Sequence, residues 1–135
     1  MQANRLTKKH SVSGQIEPSD VEAIKAAGFT AIICNRPDGE APGQPTIAQV
    51  AAAAEAAGIA FHANPMVGGT LPGDIVEKQG EILRGADAPV LAYCASGRRS
   101  TALWMLSNPD QLDADERLRR AEEAGYDLEM LRPQL

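Results

Sequence analysis

The sequence predicts an α/β fold with three layers, in which a four-stranded parallel sheet lies between helices on both faces. Three observations support this prediction: short β-branched apolar runs alternate with helix-length segments, several helices end at a glycine, and loops rich in proline and glycine separate the units. The chain has 135 residues, of which 44% are hydrophobic and 23% charged. These proportions suit a single domain over residues 1–135 that buries a core without disulfides or a metal.

The first predicted elements are a short strand, a helix and a second strand. Val12 between two serines indicates a short alternating strand. Pro18 opens the helix that follows, and Gly28 ends it. Residues 29–34 form a β-branched apolar run that is too short for a helix, so we expect a second strand buried on both faces.

The middle of the chain contains a helix, a strand and another helix. Thr46 and Gln49 form a capping box at the start of an alanine-rich helix, which Gly58 ends. Residues 59–64 are predicted as the third strand. A loop rich in proline and glycine then leads to a helix for which Asp74 is the expected N-cap.

The fourth strand is predicted at residues 90–93, and it is followed by helices at 101–106 and 113–124. In sheets of this kind, binding sites lie outside the carboxyl ends of the strands. The segments expected at that edge are 34–36, 64–73 and 94–100.

Charge and cysteine content exclude several classes of protein. The net charge is −5 and no basic tract is longer than a pair, so we expect no nucleic-acid partner. No segment is apolar enough for a signal or a membrane span, so we expect a cytoplasmic protein with no membrane partner. Cys34 and Cys94 are too far apart in the sequence for a metal motif, and we expect neither a metal nor a cofactor.

The most informative segment is the cysteine loop, residues 94–100, which joins the fourth strand to a helix. A loop curled around the sulfur of Cys94 can direct backbone N–H groups at an anion, and Gly97 permits the positive φ that such a curl needs. Arg99 would stabilise a nucleophilic thiolate at Cys94, and Ser100 would donate a further hydrogen bond. The alternative is an ordinary buried cysteine before a Ser-Gly turn. Two arginines in a first helical turn oppose the helix dipole, which favours a bound anion.

Two motifs are similar to those of a known family: Asn-Arg-Pro-Asp-Gly-Glu at 35–40 and Cys-x-Ser-Gly-x-Arg-Ser at 94–100. With further matches at 11–16, 42–46 and 124–128, the chain resembles, over nearly its whole length, the phosphatase-like domain of beta-lactamase-hydrolase-like proteins, relatives of the dual-specificity phosphatases. The resemblance implies a cysteine-phosphatase-like fold. The family often has arginine and threonine where this chain has Ala95 and Arg98.

The spacing within the cysteine loop separates two activities. Four residues lie between Cys94 and Arg99, where cysteine phosphatases have five, and the shorter loop resembles that of rhodaneses, which carry a persulfide. The neighbouring loop, residues 65–73, contains no acid, which leaves Asp38 as the candidate general acid or, alternatively, a turn residue. We therefore expect sulfane-sulfur transfer through a Cys94 persulfide first, hydrolysis of a phosphate ester through a phosphocysteine second, and a non-catalytic anion-binding or redox-sensing module third. The substrate would be a small anion or a thiol.

Two residues at the end of the second strand complete the predicted site. Arg36 is expected to face the substrate or to anchor its loop, held by Asp38 or Glu40. If the second and fourth strands are neighbours, Cys34 comes close enough to Cys94 to act as its redox partner, the alternative being a buried core residue. The predicted catalytic residues are Cys94, Arg99, Ser100 and Asp38, and the predicted anion-binding residues are Ala95, Ser96, Gly97, Arg98 and Arg36.

Overall fold

The computed structural model describes all 135 residues and contains one five-stranded sheet. The strands are β1 (Asn4–Thr7), β2 (His10–Ser13), β3 (Ala31–Cys34), β4 (Ala60–Ala63) and β5 (Val90–Tyr93), in the order β1-β2-β5-β3-β4. The four predicted strands, β2 to β5, are parallel, which confirms the α/β prediction.

The fifth strand, β1, was not predicted. It pairs antiparallel with β2 through a tight hairpin, so the sheet is mixed at this edge. Its sequence gives little signal because only Leu6 among its four residues is buried. An edge strand with a single buried side chain has no apolar period to detect.

Five helices cover the two faces of the sheet. They are α1 (Val21–Ala26), α2 (Ile47–Ala57), α3 (Gly73–Gly85), α4 (Arg98–Ser107) and α5 (Ala114–Glu123). One core, between the sheet and α1 and α2, contains Ile24, Ile32 and Val50, and the other, beneath α3, α4 and α5, contains Ile33 and Trp104. Successive residues of β3 are thus buried on opposite faces, which explains its continuous apolar run.

The helix ends observed in the structure differ slightly from those predicted by local sequence signals. The capping box at Thr46 and Gln49 is present, and Gly58 ends α2 in a left-handed conformation, as predicted. The N-cap of α3 is Pro72, so Asp74 lies in the first turn and the N-cap prediction was wrong. No helix combines the length and the apolar character that crossing a membrane requires.

Candidate active site

The three segments expected at the carboxyl edge of the sheet meet there. Asn35 donates its backbone N–H to the carbonyl of Tyr93 at 2.8 Å, and Asn64 donates to the carbonyl of Cys34 at 2.8 Å. Cys94 donates to the carbonyl of Ser13 at 3.3 Å. Each loop therefore begins as an extension of the strand pairing, which fixes the loops relative to one another.

The cysteine loop curls around the sulfur of Cys94. The backbone N–H of Gly97 donates to the Cys94 sulfur with an N···S distance of 3.1 Å, and Cys94 is 1% exposed. Gly97 has a φ of 94° and caps the start of α4, whose positive dipole end is therefore next to the sulfur. Backbone dipoles thus favour negative charge at this sulfur.

Tyr126 closes the outer side of the cysteine loop. Its hydroxyl donates to the carbonyl of Ser96 at 2.8 Å and accepts from the Asn4 side-chain amide at 3.0 Å. A Cβ on Gly97 would lie 2.1 Å from that hydroxyl. Position 97 therefore requires glycine for two reasons: its φ is positive, and the Tyr126 hydroxyl leaves no space for a Cβ.

Arg99 is held by a carboxylate that the sequence analysis did not assign to it. Its Nη1 and Nη2 atoms donate to the two carboxylate oxygens of Glu40 at 2.8 and 2.7 Å, and Nη1 also donates to the carbonyl of Met66 at 2.9 Å. The bond to Glu40 raises the pKa of Arg99 above its ordinary value, and the nearby Cys94 side chain adds to this effect. Arg99 in turn, with Arg36, lowers the pKa of Glu40 to about 2. The only sign of a role for Glu40 in the sequence is that it belongs to the same motif, residues 35–40, as Arg36.

Arg36 anchors its loop. Its Nε donates to Glu40 at 3.0 Å and its Nη1 donates to the Gln15 side chain at 3.1 Å, so Glu40 holds it and Asp38 does not. Asp38 accepts the backbone N–H of Ile47, in the first turn of α2, at 2.8 Å. The carboxylate of Asp38 thus stabilises the first turn of α2.

Ser100 belongs to a buried polar network behind the cysteine loop. Its hydroxyl, which we expected to face the sulfur, donates to the side-chain oxygen of Asn35 at 2.9 Å. Asn35 donates to the Gln79 side chain at 2.8 Å, and Asn64 donates to the same Gln79 oxygen at 2.9 Å. All four residues are 0 or 1% exposed. The network joins α3, α4 and the ends of β3 and β4, and sequence analysis missed it because its members are far apart in the chain.

Cys34 ends β3, and Cys94 directly follows β5, the neighbouring strand, as expected. The register pairs Cys34 with Tyr93, one residue before Cys94. The thiol of Cys34 donates to the carbonyl of Arg36 at 3.3 Å, and burial raises the pKa of that thiol. Whether Cys34 serves Cys94 as a redox partner stays a prediction.

A cavity of about 520 Å³ adjoins the cysteine loop. Ala95, Ser96 and Arg98 line it and are exposed. Glu40 is the only acidic residue of the lining. The remaining lining residues are Met66, Gly68, Gly69, Thr70, Leu71, Arg99, Ala102, Leu128, Met130 and Leu131.

Comparison with known proteins identifies relatives of the chain. The family model for the phosphatase-like domain of beta-lactamase hydrolase-like proteins matches residues 3–111. A beta-lactamase hydrolase-like protein from Agrobacterium fabrum is 36% identical over 106 residues, which are 78% of this chain and 25% of that protein. The chain thus spans about a quarter of the length of the curated relatives it matches.

Solved structures share the fold. A provisionally named phosphatase from Neisseria meningitidis is similar with a TM-score of 0.83 and 36% identity, covering 96% of this chain and 93% of that one. The core catalytic domain of a PP-IP phosphatase from S. cerevisiae, solved in complex with citrate, has a TM-score of 0.68 at 16% identity and covers 98% of this chain and 81% of that one.

Proposed function

Since the chain belongs to the phosphatase-like domain family of beta-lactamase hydrolase-like proteins, and is a cysteine-nucleophile enzyme of the phosphatase-like superfamily, we propose that it transfers sulfane sulfur through a persulfide of Cys94. One observation carries this proposal: the cavity contains no group that can protonate a poor leaving group. Glu40 is its only acidic residue, and two arginines lower the pKa of Glu40 to about 2. At neutral pH this side chain is a carboxylate and holds no proton to donate.

The other acid near the loop supports the same proposal. Asp38 accepts the backbone N–H of Ile47, in the first turn of α2, at 2.8 Å. This bond engages one carboxylate oxygen, Oδ1, and orients the side chain towards the start of α2. Phosphate-ester hydrolysis needs such an acid because an alkoxide leaves poorly, and the loss of a general acid typically costs about 10² to 10⁴ in rate.

Sulfur transfer needs only what the cysteine loop provides. With thiosulfate as donor, the thiolate of Cys94 attacks the outer sulfur, the sulfur–sulfur bond breaks, and sulfite leaves with the electron pair. A thiolate or cyanide then attacks the outer sulfur of the persulfide and releases the Cys94 thiolate, whose charge faces the Gly97 N–H. Both leaving groups are stable anions, so neither step requires an acid.

Phosphate-ester hydrolysis is the second candidate. The observation in its favour is the likeness to the Neisseria meningitidis protein, which bears the name of a phosphatase and is 36% identical over most of the chain. In this mechanism Cys94 would attack phosphorus, and Arg99 would bind the transferred group. The four-residue spacing between these residues and the bond from Arg99 to Glu40 are the features that oppose it.

The purified protein is tested with thiosulfate and cyanide for thiocyanate, and separately with an aryl and an alkyl phosphate ester. We expect thiocyanate formation that falls to background in Cys94→Ser, and a mass gain of one sulfur atom on Cys94 that cyanide removes. Cys34→Ala is the control for loss of the other thiol, and it should retain turnover. Turnover of both phosphate esters that depends on Cys94, without thiocyanate, would instead establish the phosphatase and refute sulfur transfer.

A further inference from the structure

The mouth of the cavity is unusually apolar for an enzyme that would act only on small inorganic ions. The chain has four exposed large hydrophobic residues, Met1, Val67, Leu71 and Met130. Leu71 and Met130 line the cavity, and Val67 lies between lining residues of the same loop. Exposed apolar side chains gathered at one place indicate a binding surface, whereas single scattered ones need no explanation.

The size of the cavity supports the same conclusion. Its volume of about 520 Å³ lies in the range of pockets that hold organic ligands, and seven of its 14 lining residues are hydrophobic. Thiosulfate and cyanide are far smaller and have no apolar part to place there. The apolar residues come from four segments: the loop before α3, the cysteine loop, α4, and the C-terminal segment with Leu128, Met130 and Leu131.

Arg98 supplies a positive charge beside the apolar wall of the cavity, which is formed by Leu71 and Met130. It is exposed, it has no carboxylate partner, and its Nη1 donates to the carbonyl of Asp127 at 2.9 Å. Its Nη2 contacts the sulfur of Met130 at 3.5 Å, which places the guanidinium beside an apolar lining residue. A guanidinium has five N–H groups, so three remain for a ligand. Arg99 differs, because Glu40 already neutralises it.

We propose that the sulfur acceptor of this site is an organic thiol with an apolar chain and a carboxylate, the chain lying against Leu71 and Met130 and the carboxylate binding Arg98. This inference rests on the proposed sulfur transfer for the reaction, and on the cavity alone for the binding. The chemistry it specifies is an amphipathic monoanion with a terminal thiol. A polar thiol of the same size would leave the apolar wall in contact with water.

The kinetic test compares thiol acceptors with thiosulfate as donor. We expect kcat/KM to be higher for mercaptohexanoate and mercaptooctanoate than for mercaptoacetate, by about twofold to fourfold for each methylene that the apolar residues bury, the upper value corresponding to full burial. Mercaptohexanol, which lacks the carboxylate, should be at least about fivefold poorer than mercaptohexanoate, as expected for loss of a charge-assisted hydrogen bond. A flat dependence on chain length would refute the apolar subsite.

Variants of the lining residues test whether the apolar wall and Arg98 cause the dependence of kcat/KM on the acceptor. Leu71→Ser and Met130→Ser should each reduce the dependence on chain length, and Arg98→Gln should remove the preference for mercaptohexanoate over mercaptohexanol. Met1→Ser is the matched control, because Met1 is 53% exposed but does not line the cavity. Wild type and all variants are made with the same N-terminal extension, which supplies the initiating methionine. An equal change in Met1→Ser would show that general surface hydrophobicity is responsible, and would overturn the assignment.

A binding experiment keeps this inference separate from the reaction. The chain has four methionines, and methyl-labelled methionine therefore gives two reporters in the cavity, Met66 and Met130, and two outside it, Met1 and Met105. We expect octanoate to shift the NMR signals of the two cavity methyls only, and acetate at the same concentration to shift none. If sulfur transfer fails while octanoate shifts these signals, only the reaction is wrong. If octanoate shifts neither cavity methyl, the subsite is wrong whatever the reaction.

Discussion

Replacing Gly97 by alanine tests the geometry of the cysteine loop directly. At a φ of 94° an alanine is strained by about 1–2 kcal/mol. Its Cβ would also lie 2.1 Å from the Tyr126 hydroxyl, so that side chain must move and give up its bonds to Ser96 and Asn4. Such overpacking costs about 1–3 kcal/mol more, which brings the expected loss of unfolding free energy to about 2–5 kcal/mol.

Gly28→Ala is the matched control for this substitution. Gly28 has a φ of 100° with no atom within 4 Å of the added Cβ, so only the strain of about 1–2 kcal/mol applies. Urea unfolding of Gly97→Ala and Gly28→Ala, each with and without Tyr126→Leu, measures the difference. We expect the extra cost at Gly97 to shrink when the tyrosine is absent.

Sulfur transfer by the same variants reports on the nucleophile. The shift of the Gly97 N–H away from the Cys94 sulfur should lower kcat/KM in Gly97→Ala, and Gly28→Ala, at the end of α1, should leave it unchanged. The reasoning is refuted if Gly97→Ala is no less stable than Gly28→Ala, because the loop would then not pack against Tyr126.

Three further predictions concern the surroundings of the loop. The pKa of Glu40 is lowered from 4.5 to about 2, so the stabilisation by its ionised form is present above about pH 4.5 and is lost as the pH falls towards 2. In urea unfolding, the difference in stability between wild type and Glu40→Gln should therefore shrink over that range. A difference that stays constant with pH would contradict the ion pair. Gln79→Met removes one hydrogen-bond partner from each of two buried asparagine side chains, Asn35 and Asn64, and should lower the unfolding free energy by about 2–4 kcal/mol. A loss under about 1 kcal/mol would mean that the network contributes little. Cys34 pairs in register with Tyr93, the residue before Cys94, which gives a Cα separation between the two cysteines of about 6 Å, within the range of disulfides. Cys34 and Tyr93 pack on the same face of the sheet, so a link requires the cysteine loop to turn the Cys94 thiol towards Cys34. Mild peroxide followed by non-reducing peptide mapping should link the two cysteines in wild type, and Cys34→Asn should proceed to irreversible oxidation, whereas equal recovery of the two proteins by reductant would make Cys34 a core residue only.

Much of the architecture was accessible to sequence analysis because its signals are local. β3 is recognisable from its β-branched apolar run, and the capping box at Thr46 defines the start of α2. The positive φ of Gly97 was likewise predicted, since a loop that curls around a preceding cysteine needs it. β1 was missed because an edge strand with one buried residue has almost no such signal.

The partners of the site residues were not accessible in this way. Asp38 was the candidate acid that the sequence favoured, and only the fold shows its carboxylate bonded to the first turn of α2. Ser100 follows the arginine of the loop and was expected to face the sulfur, yet Asn35, 65 residues earlier, accepts its hydroxyl. Hydrogen-bonding capacity is a property of a residue type, but the choice among partners depends on which loops meet at the sheet edge.

The α/β fold and the cysteine loop that contains the proposed nucleophile, Cys94, could be predicted from the sequence, because hydrophobic periodicity, capping residues and loop composition act over a few neighbouring residues. The contact between Glu40 and Arg99, 59 positions apart in the chain, and the shared cavity mouth of Met130 and Leu71 could be seen only in the folded chain. The order of the strands in the sheet explains this difference. The parallel arrangement brings the carboxyl ends of distant strands to one edge, and the charges and apolar side chains of their loops interact only there.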